Sequence, residues 1–452
     1  MPLTRRTFLR RSACAALGAA AADSLLGDLV GIAAAAPRAT AASDYKALVC
    51  VFLDGGNDGN NTVIPYGPTE YAGYAAGRGV LARPRASLLP LSASSDGRAW
   101  SFAPELAPLH PLYGQGRLAV LGNVGPLVAP ATRADYENGT SAIPPDLFSH
   151  FDQAVHWQTS LPDRPRETGW GGRVADALAS LSPSARISTA ISFAGSNIYE
   201  VGRNVSPYQM STEGTFGLDG YDPAGGDARS RAIRALLGLS RGQLLEDAFR
   251  GVTRRAIDAD VLVRAALAGV PALTTVFPDN DLGRQLGMVA KMIGARTGLA
   301  QNRQVFFCDT GGFDTHGSQL AYHPGLLADV ALALRAFHDA TVEMGVASGV
   351  TTFTASEFGR TWPTNGGGSD HGWGSHHLIL GGAVAGGRIY GRMPILVENG
   401  PDDSDRGSWI PSTSVDEYGA TLARWFGVSP ADLSAVFPNL GRFANPNVGF
   451  MG

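Results

Sequence analysis

The sequence predicts an α/β fold: a mainly parallel central sheet, helices on both of its faces, and an inserted helical cap. Three observations predict it. Short β-rich apolar runs recur along the chain and end in polar, Gly-rich loops, as buried parallel strands do. Helical periodicity falls between them, in the alternation that right-handed crossovers need. The chain of 452 residues is 44% hydrophobic and 17% charged, with 58 Gly and 28 Pro, which excludes fibrous and disordered classes and leaves one large, loop-rich domain in competition with about three smaller ones.

The first 42 residues are read apart from the fold. LTRRTFLRR leads into an apolar stretch from Ser12 to about Val30, then small residues near positions 34–42. This looks like a twin-arginine signal, with Arg5 and Arg6 as the pair, Phe8 and Leu9 in the hydrophobic places and Arg10 as the following base. The expected route is the twin-arginine export machinery, and the expected location is periplasmic or secreted. Asp23 and Asp28 interrupt the apolar run below the roughly 18 residues a membrane span wants, so no transmembrane segment is expected after cleavage. The segment holds five Arg and two Asp, so its removal turns a formal charge of −4 into −7. Such a chain offers no basic footprint and excludes nucleic acid as a partner. The twin-arginine route carries proteins already folded, often around an inserted metal. Of the cysteines, Cys14 leaves with the signal, and Cys50 and Cys308 allow one disulfide without requiring it.

The mature chain, 43–452, then reads in order. KALVCVFL at 46–53 is a buried strand ending in DGGNDGNN; FAPELAPLHPLYGQG and RLAVLGNVG from Arg117 make one α/β step. Between about 160 and 300 the texture turns helical and more charged, the expected inserted cap, which offers Trp170 and Arg173 as substrate contacts or packing residues. QNRQVFFC at 301–308 is a third strand, His323–Gly345 a helix, and VTTFTASEFGR a fourth strand. VDEYGATLARWFGV and SPADLSAVFPNL close the fold as amphipathic helices.

Charged residues are scarce, yet five polar clusters fall at strand ends or in Gly-rich loops: DGGNDGNNT (54–62), LFSHFDQ (147–153), GGFDTHGSQ (311–319), SEFGRT (356–361) and GGGSDHGWGSHH (366–377). Six of the nine histidines lie in or beside them. Carboxylates and imidazoles gathered at one sheet edge are what a divalent cation requires of separate loops, so one or two metals are expected, with Zn, Ca, Mg and Mn all open.

FLDGGNDGNNTVIPY, FSHFDQAVHWQ, GWGGRVAD, GGFDTHGSQ and TASEFGRTWPTNGGGSDHGWGSHHLILGG stand in this order from Lys46 to about Gly391. By these motifs the chain resembles the exported bacterial family called domain of unknown function 1501, which is similar to the alkaline phosphatase and sulfatase superfamily. The resemblance implies an alkaline phosphatase-like three-layer sandwich. It also implies a metal-binding Asp after the first strand, Asp58 or Asp54, with Asp58 preferred. A nucleophile at a helix start maps to Ser149, with His150 beside it as general acid or ligand; the competing reading of Ser149 is a plain helix N-cap. Asp314 and His316 map to later ligands. Where the superfamily carries Asp-His after a strand, this chain has Glu357 and Phe358, and Asp370 with His371 in the next loop would supply the missing pair. Arg360 would neutralise an ester oxygen or pair with Glu357. Of His376 and His377, strand alternation lets only one face the site.

Two functions compete. One is metal-dependent hydrolysis of a phosphate or sulfate ester on a small molecule or glycan; formylglycine chemistry is excluded because Cys-x-Pro-x-Arg is absent. The other is a non-catalytic envelope or assembly protein that keeps the fold with a reduced site. Serine hydrolysis of the GDSL type fails, because GGND at 55–58 has no Gly-Asp-Ser before it, and no Gly-x-Ser-x-Gly elbow occurs.

Overall fold

A computed structural model describes residues 44–92, 97–239 and 242–452, so the signal segment lies outside the described residues. The strands are β1 (Lys46–Leu53), β2 (Val63–Pro65), β3 (Leu89–Pro90), β4 (Trp100–Phe102), β5 (Leu118–Gly125), β6 (Ala190–Ser192), β7 (Tyr208–Gln209), β8 (Arg303–Thr310), β9 (Val350–Ala355), β10 (Ser375–Gly381), β11 (Ile389–Tyr390) and β12 (Thr413–Ser414). The α-helices are α1 (Pro68–Arg78), α2 (His110–Gly114), α3 (Arg133–Glu137), α4 (His150–Thr159), α5 (Trp170–Ala177), α6 (Ala228–Gly238), α7 (Leu244–Ala268), α8 (Asp281–Gly294), α9 (Gln319–Glu343), α10 (Val415–Phe426) and α11 (Leu433–Val436).

The main sheet runs β11-β5-β10-β9-β1-β8-β6-β7, with β12 added on β5. β1 lies parallel to both β8 and β9, and only β10 runs against its neighbours. Being covered on both faces, β1 is apolar along its length rather than alternating. Its side chains still alternate between two cores. Val49, Val51 and Leu53 pack with α8 and α9, while Leu48, Cys50 and Phe52 pack with α5, α10 and α11. Three layers result, a mixed α/β architecture with a mainly parallel central sheet. In the β1–β8 register Cys50 lies beside Phe307 and Cys308 beside Val51, so the two thiols face opposite cores and both are free.

The segment 160–300 is only in part a cap. β6 and β7 extend the sheet edge next to β8, and α5 and α8 belong to the two helical layers. Their apolar stripes found a sheet face to cover, which overrode the more charged texture of the segment. The hairpin of α6 and α7 is the more exposed portion.

Topology puts the loops after β1, β8 and β9 on one edge, because the three strands are parallel. The loop before β10 arrives at that same edge, since β10 is antiparallel and begins there. Two glycines let the loops close in. Gly55 (φ +115°) has its missing Cβ 2.4 Å from the Asp314 backbone nitrogen, and that of Gly56 (φ +84°) falls 2.2 Å from the Phe358 ring.

Candidate metal centre

Arg360 stitches these loops. Its side chain is fully buried and donates to the Gly56 carbonyl at 2.8 Å, the Ser369 carbonyl at 3.1 Å, the Phe313 carbonyl at 3.0 Å and the Gly55 carbonyl. One guanidinium nitrogen also reaches Asp314 Oδ1 at 2.6 Å. An isolated bridge between Arg360 and His371 joins the loop after β9 to the loop before β10.

Onto this frame three imidazoles converge. Asp314 and His316 come from the loop after β8, His371 from the loop before β10, and His150 from the first position of α4. Asp314 Oδ1 stands 3.1 Å from His316 Nε2 and 3.3 Å from His371 Nε2, and its Oδ2 stands 3.5 Å from His150 Nε2. The Nε2 atoms of His316 and His371 are 2.8 Å apart. Ligand atoms of His150, Asp314 and His371 all lie within 4.8 Å of one another.

The opposite ring nitrogens are each held. His150 Nδ1 meets Glu357 Oε1 at 2.8 Å, His316 Nδ1 meets Asp370 Oδ1 at 3.1 Å, and His371 Nδ1 meets the Phe148 carbonyl at 2.7 Å. A carbonyl can only accept, so His371 carries its proton on Nδ1, and the closer carboxylate favours the same tautomer in His150, whereas His316 meets a carboxylate at 3.1 Å on each nitrogen. The Nε2 lone pairs of His150 and His371 then point inward. The Nε2 atoms of His316 and His371, 2.8 Å apart, can share a proton in a hydrogen bond or turn together toward a cation. Carboxylate or carbonyl behind each ring is also the outer shell that metal-bound histidines use.

Electrostatics agree. Partial burial works to raise the Asp314 carboxyl, but the Arg360 hydrogen bond and charge, with His316 and His150, hold it below its ordinary value. Burial lowers His371 and favours its neutral, ligating form, against the hydrogen bond to Phe148. Hydrogen bonding from Asn365, then from His316, keeps Asp370 low. Burial raises Glu357, although His150 and the Gly55 N–H, which donates to Oε1 at 2.8 Å, both favour its charged form.

Several expected roles fall elsewhere. Asp58 does not join the cluster: it is buried, paired with the equally buried Arg78 and with Gln319, and caps the Asn60 N–H at 3.1 Å. Asp54 is exposed, its own N–H donating to the Thr310 carbonyl. Glu357 and Asp370 stand behind histidines rather than at the centre. Ser149 is the N-cap of α4, its Oγ donating to Asp152 Oδ2 at 2.8 Å. Arg360 pairs with Asp314, not Glu357, and spends its other donors on carbonyls. Trp170 is core, and Arg173 donates to the carbonyls of Val436, Thr168 and Thr159. Both strand histidines are buried: His376 accepts the Asn123 N–H, and His377 packs against Trp157 and Tyr418.

Sequence reasoning missed the Phe148 carbonyl, whereas His150, expected as general acid or ligand, lies within the cluster. A backbone carbonyl leaves no residue signature; Phe148 holds φ +69°, a strained left-handed position that aims its carbonyl at His371. Phe358, which stands where a histidine was wanted, stacks on His371 with ring centroids 4.4 Å apart.

Fold and site together define an α/β protein with a His-rich cluster at the carboxyl edge of its sheet. The chain belongs to the family described as "Protein of unknown function (DUF1501)", whose match covers residues 45–404. Among solved structures it is similar to Ps i-CgsB in complex with k-i-k-neocarrahexaose, at 11% identity over 89% of this chain and 78% of that one, with a TM-score of 0.33. It is also similar to the PsFucS1 sulfatase from Pseudoalteromonas sp., at 9% identity over 85% of this chain and 68% of that one, with a TM-score of 0.32. No curated protein matches the chain.

Proposed function

We propose that this chain is an exported, metal-dependent hydrolase of phosphate or sulfate esters, with Asp314, His150, His316 and His371 holding one divalent cation. The observation that carries the reading is the convergence of His150, His371 and Asp314, with His316 beside them and each ring braced from behind. A donor set this rich in nitrogen suits zinc or another first-row transition metal better than calcium or magnesium. A cation so bound supplies Lewis acidity and a bound water of lowered pKa. The chain's own residues orient the rings through Glu357, Asp370 and the Phe148 carbonyl, and Arg360 keeps Asp314 ionised and in place. The twin-arginine segment supports export, and no helix among the described residues is long and apolar enough to cross a membrane.

The test is the metal content of protein purified through its own export route, with hydrolysis of a panel of phosphate and sulfate esters. The wild type should hold about one transition metal per chain, and the Asp314→Ala, His371→Ala double variant should lose metal and hydrolysis together. Full metal retention in that variant would sink the assignment.

One observation favours a second reading, the non-catalytic envelope protein: Ser149 is engaged as a cap and Phe358 stands where a ligand would. On that reading metal binds and no ester of the panel is cleaved.

A further inference from the structure

The hairpin of α6 and α7 carries a charge and a surface unlike the rest of the molecule. Residues 228–268 hold eight arginines and four carboxylates, a net of +4, while residues 44–452 sum to −7 and so leave −11 on everything else. Two of the carboxylates, Glu246 and Asp247, sit together in the first turn of α7, and Asp258 and Asp260 follow further along it, Asp260 paired with Arg264 at 2.7 Å. Arg250 pairs with Asp247 at 2.9 Å, but Arg229, Arg231, Arg234 and Arg254 donate to backbone carbonyls, which leave their charge uncancelled.

The same element exposes large apolar side chains where a monomer would ordinarily hide them. Leu244 and Leu245 are each 84% exposed, Leu236 61% and Phe249 50%. Leu236, Leu239 and Phe249 line one shallow cavity of about 310 Å³ with Arg250 and the carboxylates Glu246 and Asp247, so these three apolar side chains form one patch, with Leu244 and Leu245 just before it on α7. Arginines flanking Leu and Phe on a helical element are the composition that lies in the interface of a bilayer.

We infer that the α6–α7 hairpin docks this protein onto an anionic lipid surface, with Leu244, Leu245, Leu236 and Phe249 entering the headgroup boundary and the arginines meeting lipid phosphates. Charge decides for this occupant. A neutral surface leaves the +4 without a counterpart, and an anionic one also repels the −11 body, which orients the protein with the hairpin down. The inference is independent of the metal centre, which lies at the sheet edge in other segments of the chain.

Sedimentation of the mature chain with vesicles tests it. Vesicles of equal parts phosphatidylglycerol and phosphatidylcholine should pull down the protein at least tenfold more than phosphatidylcholine alone, and raising salt from about 0.1 M to 0.5 M should release most of it. Leu244→Ser with Leu245→Ser should lower the bound fraction about tenfold; both side chains are solvated, so the thermal midpoint should stay put. Equal recovery on neutral and anionic vesicles, no recovery on either, or a double variant that binds like wild type overturns the inference. So does a wild type that forms a dimer in solution which the double variant abolishes, since the patch would then belong to a second copy.

Discussion

His150 shows how one side chain draws its role from what stands on either side of it. Its Nε2 faces Asp314 at 3.5 Å, and its Nδ1 rests on Glu357, a carboxylate buried at the end of β9. Glu357→Gln keeps an acceptor for the Gly55 N–H but removes the charge behind the ring. Metal affinity should fall about 10- to 100-fold with the fold intact, as titration against a competing chelator would show. A different buried carboxylate makes a pH prediction. Glu200 is fully buried, one oxygen accepting from Asn197 at 2.9 Å and the other without a partner, and burial pushes it up to about 8. With a folded pKa above the ordinary 4.5, the native state binds the extra proton, so this contribution is whole below about 4.5 and is lost as pH rises through about 8. Wild type should therefore lose stability against Glu200→Gln by up to about 1.4 kcal/mol per pH unit across that window, then run level above it. Paired thermal midpoints from pH 5 to 9 that never diverge would reject this.

At the scale of elements, α4 begins with its cap and its candidate ligand side by side, so the turn that Ser149 closes is also the turn that positions His150. Ser149→Ala should cost about 1 kcal/mol through the lost cap and lower the thermal midpoint. Ser149→Asp should restore stability, since Asp caps as well. If Ser149 only caps, the Asp variant keeps its metal and any ester hydrolysis; loss of hydrolysis in both variants with metal retained would make Ser149 the nucleophile. Strand alternation makes a prediction of its own. Cys50 and Cys308 sit on neighbouring strands but face opposite cores. Two thiols should titrate in denatured mature protein with or without prior reduction, and reductant should leave the thermal midpoint unchanged.

Over the whole molecule, how much could be read early depended on whether a signal was local. The strands at 46–53 and 118–125 and the long helix through His338 were legible because apolar periodicity is written in neighbouring residues. The polar clusters at strand ends were legible too, since scarce charge in Gly-rich loops stands out. Which members of a cluster meet was not legible: Asp58 and Asp314 look alike in their loops, yet one is sealed against Arg78 and the other sits among three histidines. The segment 160–300 reads as a cap by composition, but β6 and α8 joined the sheet and its layer because an uncovered sheet edge and face were there to take them. The sequence alone determined the α/β class, the family and the polar loops at the strand ends, because strand periodicity and motif order are properties of contiguous chain. Only the tertiary structure decided which polar side chains meet, the bracing of each ring and the burial of Arg360, because these depend on contacts between segments far apart in the chain, 207 residues for His150 and Glu357 and 305 for Arg360 and Gly55.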